Sequence, residues 1–154
     1  MKIESDRYFT GAITAIILSL PFSIFDYLSY RFGFHNYPIW QIAASAYFHK
    51  NDVTSISAFV VGMITHLIVV GFTGVGVVYL LYYTGTDHYL FKGTSVSSLQ
   101  WLIIFGIVLR TKIGRIDPID SQTNLFHLGF HLFFGALIAW IIVRYKLNIV
   151  DQKT

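Results

Sequence analysis

Four strongly apolar stretches free of Asp, Glu, Lys and Arg divide this chain, at 8–25, 53–86, 93–109 and 121–143. A helix rises 1.5 Å per residue, so about 20 apolar residues cross a hydrocarbon core of roughly 30 Å. Inside lipid every backbone N–H and C=O must be satisfied within the protein, which makes a helix the spanning form for runs of this length. The expected fold is therefore all-α. It is a single integral membrane domain over residues 1–154, a four-transmembrane-helix bundle with spans at about 8–28, 54–83, 93–110 and 122–144.

Composition agrees. Charged residues make up 12% of the chain and apolar types 55%. A soluble domain carries roughly a quarter charged residues, so most of this surface suits lipid. The net charge of +3 is spread out, its densest cluster being Arg110, Lys112 and Arg115. Such residues answer anionic headgroups rather than nucleic acid. With no cysteine, disulfides and thiolate chemistry are excluded.

Lys2 and Arg7 precede the first run as in a signal peptide, but no Ala-x-Ala pattern follows, and an uncleaved first helix is expected. Pro21 should kink that helix near its end. The stretch from Ser29 to Asp52 is too polar to cross. Pro38 can open a short interfacial helix at about 38–49, with Ile39, Trp40, Ala43 and Tyr47 on one face. Lys and Arg divide almost evenly between the two sides, so a cytoplasmic placement of the termini is only weakly favoured. Tyr8, Trp40, Tyr82, Tyr83, Tyr89 and Tyr145 are placed to mark the interfaces.

Helices in lipid associate through small residues that let backbones approach. Gly11, Ala15, Ser19 and Ser23 recur every fourth position in the first run. The second carries Ala58, Gly62, His66 and Gly74; the fourth carries His127, His131, Gly135 and Ala139. Residues four apart share a helix face, so the histidines fall in line with the packing seams. Spans two and four run in the same direction, and spans one and three end on the side where those two begin. Asp26, His66, Arg110, His127 and His131 are thereby expected to converge towards one membrane face, near the loop carrying Asp117 and Asp120.

Ionisable groups in a membrane are costly and point to function by default. A His pair at i, i+4 with a third His can hold a metal, here His66, His127 and His131, or ligate a haem. Asp26 and the histidines can instead serve a small proton- or solute-coupled transporter. The plainer expectation is that hydroxyls such as Ser19 or Ser23, or carbonyls, satisfy neutral imidazoles and fix the packing. Asp26 is expected to pair with Arg31 or Arg110; His35, His49 and His88 are expected in solvated loops. No Gly-x-Ser-x-Gly, no His-Glu-x-x-His and no paired intramembrane carboxylates occur. The leading expectation is thus a non-enzymatic bundle without a cofactor. It would contact lipid and associate with itself or another membrane protein.

The order of features resembles the YqhR family of small membrane proteins of Gram-positive bacteria. The resemblance runs from Phe9-Thr10-Gly11-Ala12 and Tyr27-Leu28-Ser29-Tyr30-Arg31-Phe32 through Tyr79-Leu80-Leu81-Tyr82-Tyr83 and Trp101-Leu102-Ile103 to Phe133-Phe134-Gly135-Ala136-Leu137. The steps Gly62-x-x-x-His66 and His131-x-x-x-Gly135 are also similar to YagU-like membrane proteins. These resemblances imply a bacterial plasma membrane location and carry no activity or site residues with them.

Overall fold

A computed structural model of the chain describes residues 6–111, 116 and 120–145. Lys2, Lys112, Arg115, Asp117, Lys146 and Lys153, which entered the charge balance or the loop beside the expected cluster, lie outside the described residues.

The helices are α1 (Arg7–Arg31), α2 (Ile39–Ala44), α3 (Ile56–Thr84), α4 (Tyr89–Trp101) and α5 (Ser121–Arg144). The helix α4 continues as a π-helical segment, Leu102–Val108, whose i→i+5 bonding is visible in Leu109 N–H donating to the Ile104 carbonyl at 2.9 Å. Four of these stretches are long and apolar enough to cross a membrane: α1, α3, α4 with its π continuation, and α5. The all-α four-span bundle read from the sequence is the observed fold. Its outer surface is apolar, with Ile17, Ile24, Ile64, Phe72, Leu125 and Phe133 exposed, while Asp26, His35 and His127 are buried. That inversion of polarity suits a bilayer.

Each span begins and ends for a local reason. Asp6 caps α1 by accepting from the amides of Tyr8 and Phe9, and Ser55 caps α3 through Ala58. The third span starts a turn earlier than expected, at Tyr89 rather than at about Gly93. Lys92 can sit inside it because its ammonium reaches back to the carbonyls of Thr84 and Gly85, at 3.0 and 2.9 Å, and closes the C-terminus of α3. The helix α1 runs unbroken through Pro21.

The spans pack as two close antiparallel pairs, α1 with α3 and α4 with α5, and α2 lies on α3. Glycines set the crossings. A Cβ on Gly74 would fall under 3.0 Å from the Gly11 carbonyl and the Ala15 Cβ; one on Gly93 would meet the Gly135 carbonyl and Ala139. Gly62 likewise touches the backbone of Trp40 in α2. The seam through Gly11 and Ala15 therefore belongs to the first pair, and that through Gly135 and Ala139 to the second. Gly93 and Ser97, which supply the partner face of the second pair, escaped the sequence reading although they too stand four apart. Tyr8, Tyr82, Tyr83, Tyr89 and Tyr145 gather at the end of the bundle that holds the described termini, where Arg7 lies 4.0 Å over the Tyr82 ring. The site lies at the other end.

Candidate metal centre

The helix α1 ends in a Schellman turn, and that turn begins the site. Gly33 adopts φ +81°, its amide donates to the Tyr30 carbonyl, and the Phe34 amide donates to Ser29, each at 3.0 Å. Such a left-handed step favours glycine and reverses the chain. It folds residues 34–38 back over the end of the bundle. There the Asn36 amide donates to the Thr123 hydroxyl at 3.0 Å, and the Asn36 side chain donates to Asp120 at 2.8 Å. Asp120 is also the N-cap of α5, accepting from the Thr123 amide and hydroxyl at 2.9 and 2.7 Å. The loop after α1 is thus clamped to the first turn of α5.

Between the clamp and α1 sits His35, 1% exposed, its ring stacked on Phe126 with centroids 4.3 Å apart. The expectation of a solvated loop histidine is corrected: the clamp and the aromatic stack bury it. Its Nδ1 lies 3.0 Å from the Tyr37 carbonyl, and its Nε2 lies 3.4 Å from Asp26 Oδ1 and 3.1 Å from the Asp26 carbonyl. His127, one and a half turns into α5, donates from Nδ1 to the Thr123 carbonyl at 2.8 Å and turns Nε2 towards Asp26 Oδ1 at 3.3 Å. The other carboxylate oxygen, Oδ2, accepts the Ile39 amide at 2.8 Å and so anchors the first turn of α2. Asp26 pairs with neither Arg31 nor Arg110 among the described residues; both arginines are exposed.

This arrangement has a chemical consequence. Carbonyls accept only, so Nδ1 of His127 carries the hydrogen and in the neutral ring its Nε2 is a lone pair, whereas His35 has a carbonyl at each nitrogen, Tyr37 at Nδ1 and Asp26 at Nε2. Burial lowers His35 below the ordinary imidazole range; the Asp26 charge opposes this, His127 adds to it, and the carbonyls of Asp26 and Tyr37 oppose it. The His127 lone pair, Nε2 of His35 and a carboxylate oxygen thereby face one buried point. Asp26 Oδ1 and His127 Nε2 have no hydrogen-bond partner there. A proton or a metal cation between them would satisfy that point.

Ligand spacing is met. One ligand atom from each of Asp26, His35 and His127 lies within 4.8 Å of the others, and all three residues are buried. Bonds of 2.0–2.1 Å at tetrahedral angles place ligand atoms about 3.3–3.4 Å apart, whereas octahedral edges are nearer 2.9 Å by the same trigonometry. Two of the three edges are 3.3 and 3.4 Å, and the third is within 4.8 Å. His66 and His131, expected as ligands with His127, are outside this group. His66 Nε2 meets the Ser23 hydroxyl at 3.3 Å, and His131 Nδ1 meets the Ser97 carbonyl at 3.1 Å. They instead line a cavity of about 320 Å³ that Asp26 and His127 also border. Arg110 is not among its lining residues. The π segment places Ile104, Val108 and Leu109 on the cavity wall and Phe105 beside the His127 ring, 5.3 Å between centroids.

The clamp makes a prediction of its own. Burial raises Asp120, but hydrogen bonds from the Thr123 amide, the Asn36 side chain and the Thr123 hydroxyl outweigh it and hold the carboxyl at about 2. The folded value lies below the unfolded one of about 3.9. The stabilisation is therefore complete above about pH 4 and is lost as pH falls towards 2. Asp120→Ala should cost about 1 kcal/mol at pH 7. That difference from the parent should vanish near pH 2, as read by unfolding in mixed micelles at the two pH values.

Sequence comparison of this chain with family models, with curated proteins and with solved structures finds no match.

Proposed function

We propose that this chain is a membrane-embedded metalloprotein that holds a divalent transition-metal ion, zinc by preference, on Asp26, His35 and His127. The observation that carries this reading is the convergence of Asp26 Oδ1 with Nε2 of His35 and of His127, all three residues buried, with both Nδ1 atoms against carbonyls. Metal-ligating histidines are held in that way by their second nitrogen. Two imidazoles and a carboxylate suit zinc and ferrous iron among biological ions. A haem is the poorer fit, because the 3.3 Å between His127 Nε2 and Asp26 leaves no room for a macrocycle at that nitrogen.

Three protein ligands with a fourth position left for water or substrate is the arrangement of catalytic rather than structural zinc. Here that position lies on the cavity side, since Asp26 and His127 border the cavity and His35 does not. The ion would act as a Lewis acid or activate a bound water. The chain's residues would orient the two imidazoles through their Nδ1 contacts and neutralise one unit of the ion's charge through Asp26. In this reading the protein sits in a bacterial plasma membrane with its termini cytoplasmic; the family resemblance supports the location, while the described basic residues divide evenly, Arg7, Lys92 and Arg144 at the terminal end against Arg31, Lys50 and Arg110 at the other.

The test is elemental analysis of protein purified through a histidine-free tag. One divalent transition-metal ion per chain, retained through dialysis, is expected. A chain that stays metal-free after loading would instead make the three residues a protonated ion-pair network.

A further inference from the structure

Resting on the metal reading, we infer that the cavity is the binding site of an amphiphile drawn from the bilayer, whose head-group oxygen takes the fourth position on the metal. The walls are hydrocarbon: Phe22, Ile42, Val69, Ile104, Phe130 and Phe134 all border the space. The polar groups that interrupt them include Asp26 and His127 together with His66 and His131. At about 320 Å³ the space is at the small end of ligand sites, which run from about 300 to 1,000 Å³. An apolar cavity with a few placed polar atoms is the usual form of such a site.

The histidines define the head group further. His131 Nδ1 faces the Ser97 carbonyl, so in the neutral ring Nε2 is an acceptor. Its ring is half-buried, and neither Nε2 of His131 nor Nδ1 of His66 is among the buried atoms left without a partner. A ligand that offers one oxygen to the metal and an adjacent O–H or N–H to His131 satisfies both ends. The hydrocarbon part then lies along the α3, α5 and π-segment wall. Phosphate-rich or highly charged head groups do not fit, because no Lys or Arg lines the cavity.

Cobalt substitution gives the experiment, since the visible bands of bound Co²⁺ report its ligands directly. The probe is hexanohydroxamic acid, which offers a metal-binding oxygen, an N–H donor and a short alkyl chain. The protein in micelles is loaded with cobalt and titrated. Saturable spectral change is expected for the parent, with at least about tenfold weaker binding, or 1.4 kcal/mol, in Ala43→Phe, which fills the cavity from α2. Cobalt content should be equal in the two. Val69→Phe fills it from α3 and replaces the first variant if that one does not fold. Equal responses of parent and filled variants would overturn the inference while leaving the metal reading intact. Bound cobalt with an unchanging spectrum would do the same. Failure to bind cobalt, or equal binding by Asp26→Ala, would overturn both.

Discussion

Asp26→Asn is expected to lower metal affinity by more than about a hundredfold while the bundle stays folded. Loss of an outer partner of a metal ligand already costs about 10–100-fold, and Asp26 supplies both the ligand oxygen and the only charge among the three donors. Asparagine keeps an oxygen for the Ile39 amide, which Asp26 Oδ2 accepts at 2.8 Å. Its NH₂ can donate towards His127 Nε2, so the metal-free site becomes better satisfied than with aspartate. Asp26→Ala, in contrast, leaves the Ile39 amide without its acceptor, at about 1–3 kcal/mol, and should lose both metal and stability. Equilibrium dialysis with thermal unfolding separates the two variants. Equal metal binding by parent and Asp26→Asn would remove Asp26 from the site.

The second large effect concerns the crossing of α1 and α3. Gly74→Ala should destabilise the bundle by about 3 kcal/mol or more, beyond ordinary overpacking of 1–3 kcal/mol. The added Cβ would meet backbone, the Gly11 carbonyl, and backbone cannot rotate away as a side chain can. Gly71→Ala, one turn earlier on the same helix, meets only the Ile16 and Ala12 side chains at 3.5 Å and beyond and should be neutral within about 0.5 kcal/mol. Both have equal helix propensity gains from Gly to Ala, so their difference isolates the contact. Denaturation in mixed micelles gives the comparison. Equal stability of the two variants would mean that the helices do not cross at Gly74.

These two sites differ in how far they could be read from the chain. The seams were legible because small residues four apart, such as Gly11, Ala15 and Ser19, need only helical periodicity to become a face. The gathering of Asp26, His66 and His127 at one end was legible too, since alternating span direction fixes which ends meet. His35 was not. Its burial depends on a left-handed turn at Gly33 and on Asn36 reaching Asp120, 84 residues away in the chain. A reading by periodicity sees only a polar connection there. Local signals did exist: a glycine two residues past the end of α1, and Asp120 three before Thr123 as a helix cap. The π segment left no such trace. Leu102–Val108 has the composition of any apolar helix.

The most direct measurement of the central claim is X-ray absorption at the zinc edge on protein loaded with one equivalent in lipid or detergent. Two imidazole nitrogens and one or two oxygens at about 2.0–2.1 Å are the predicted shell, reduced by one imidazole in His35→Ala and again by one in His127→Ala. A shell of waters alone, or one unchanged by either substitution, would contradict it.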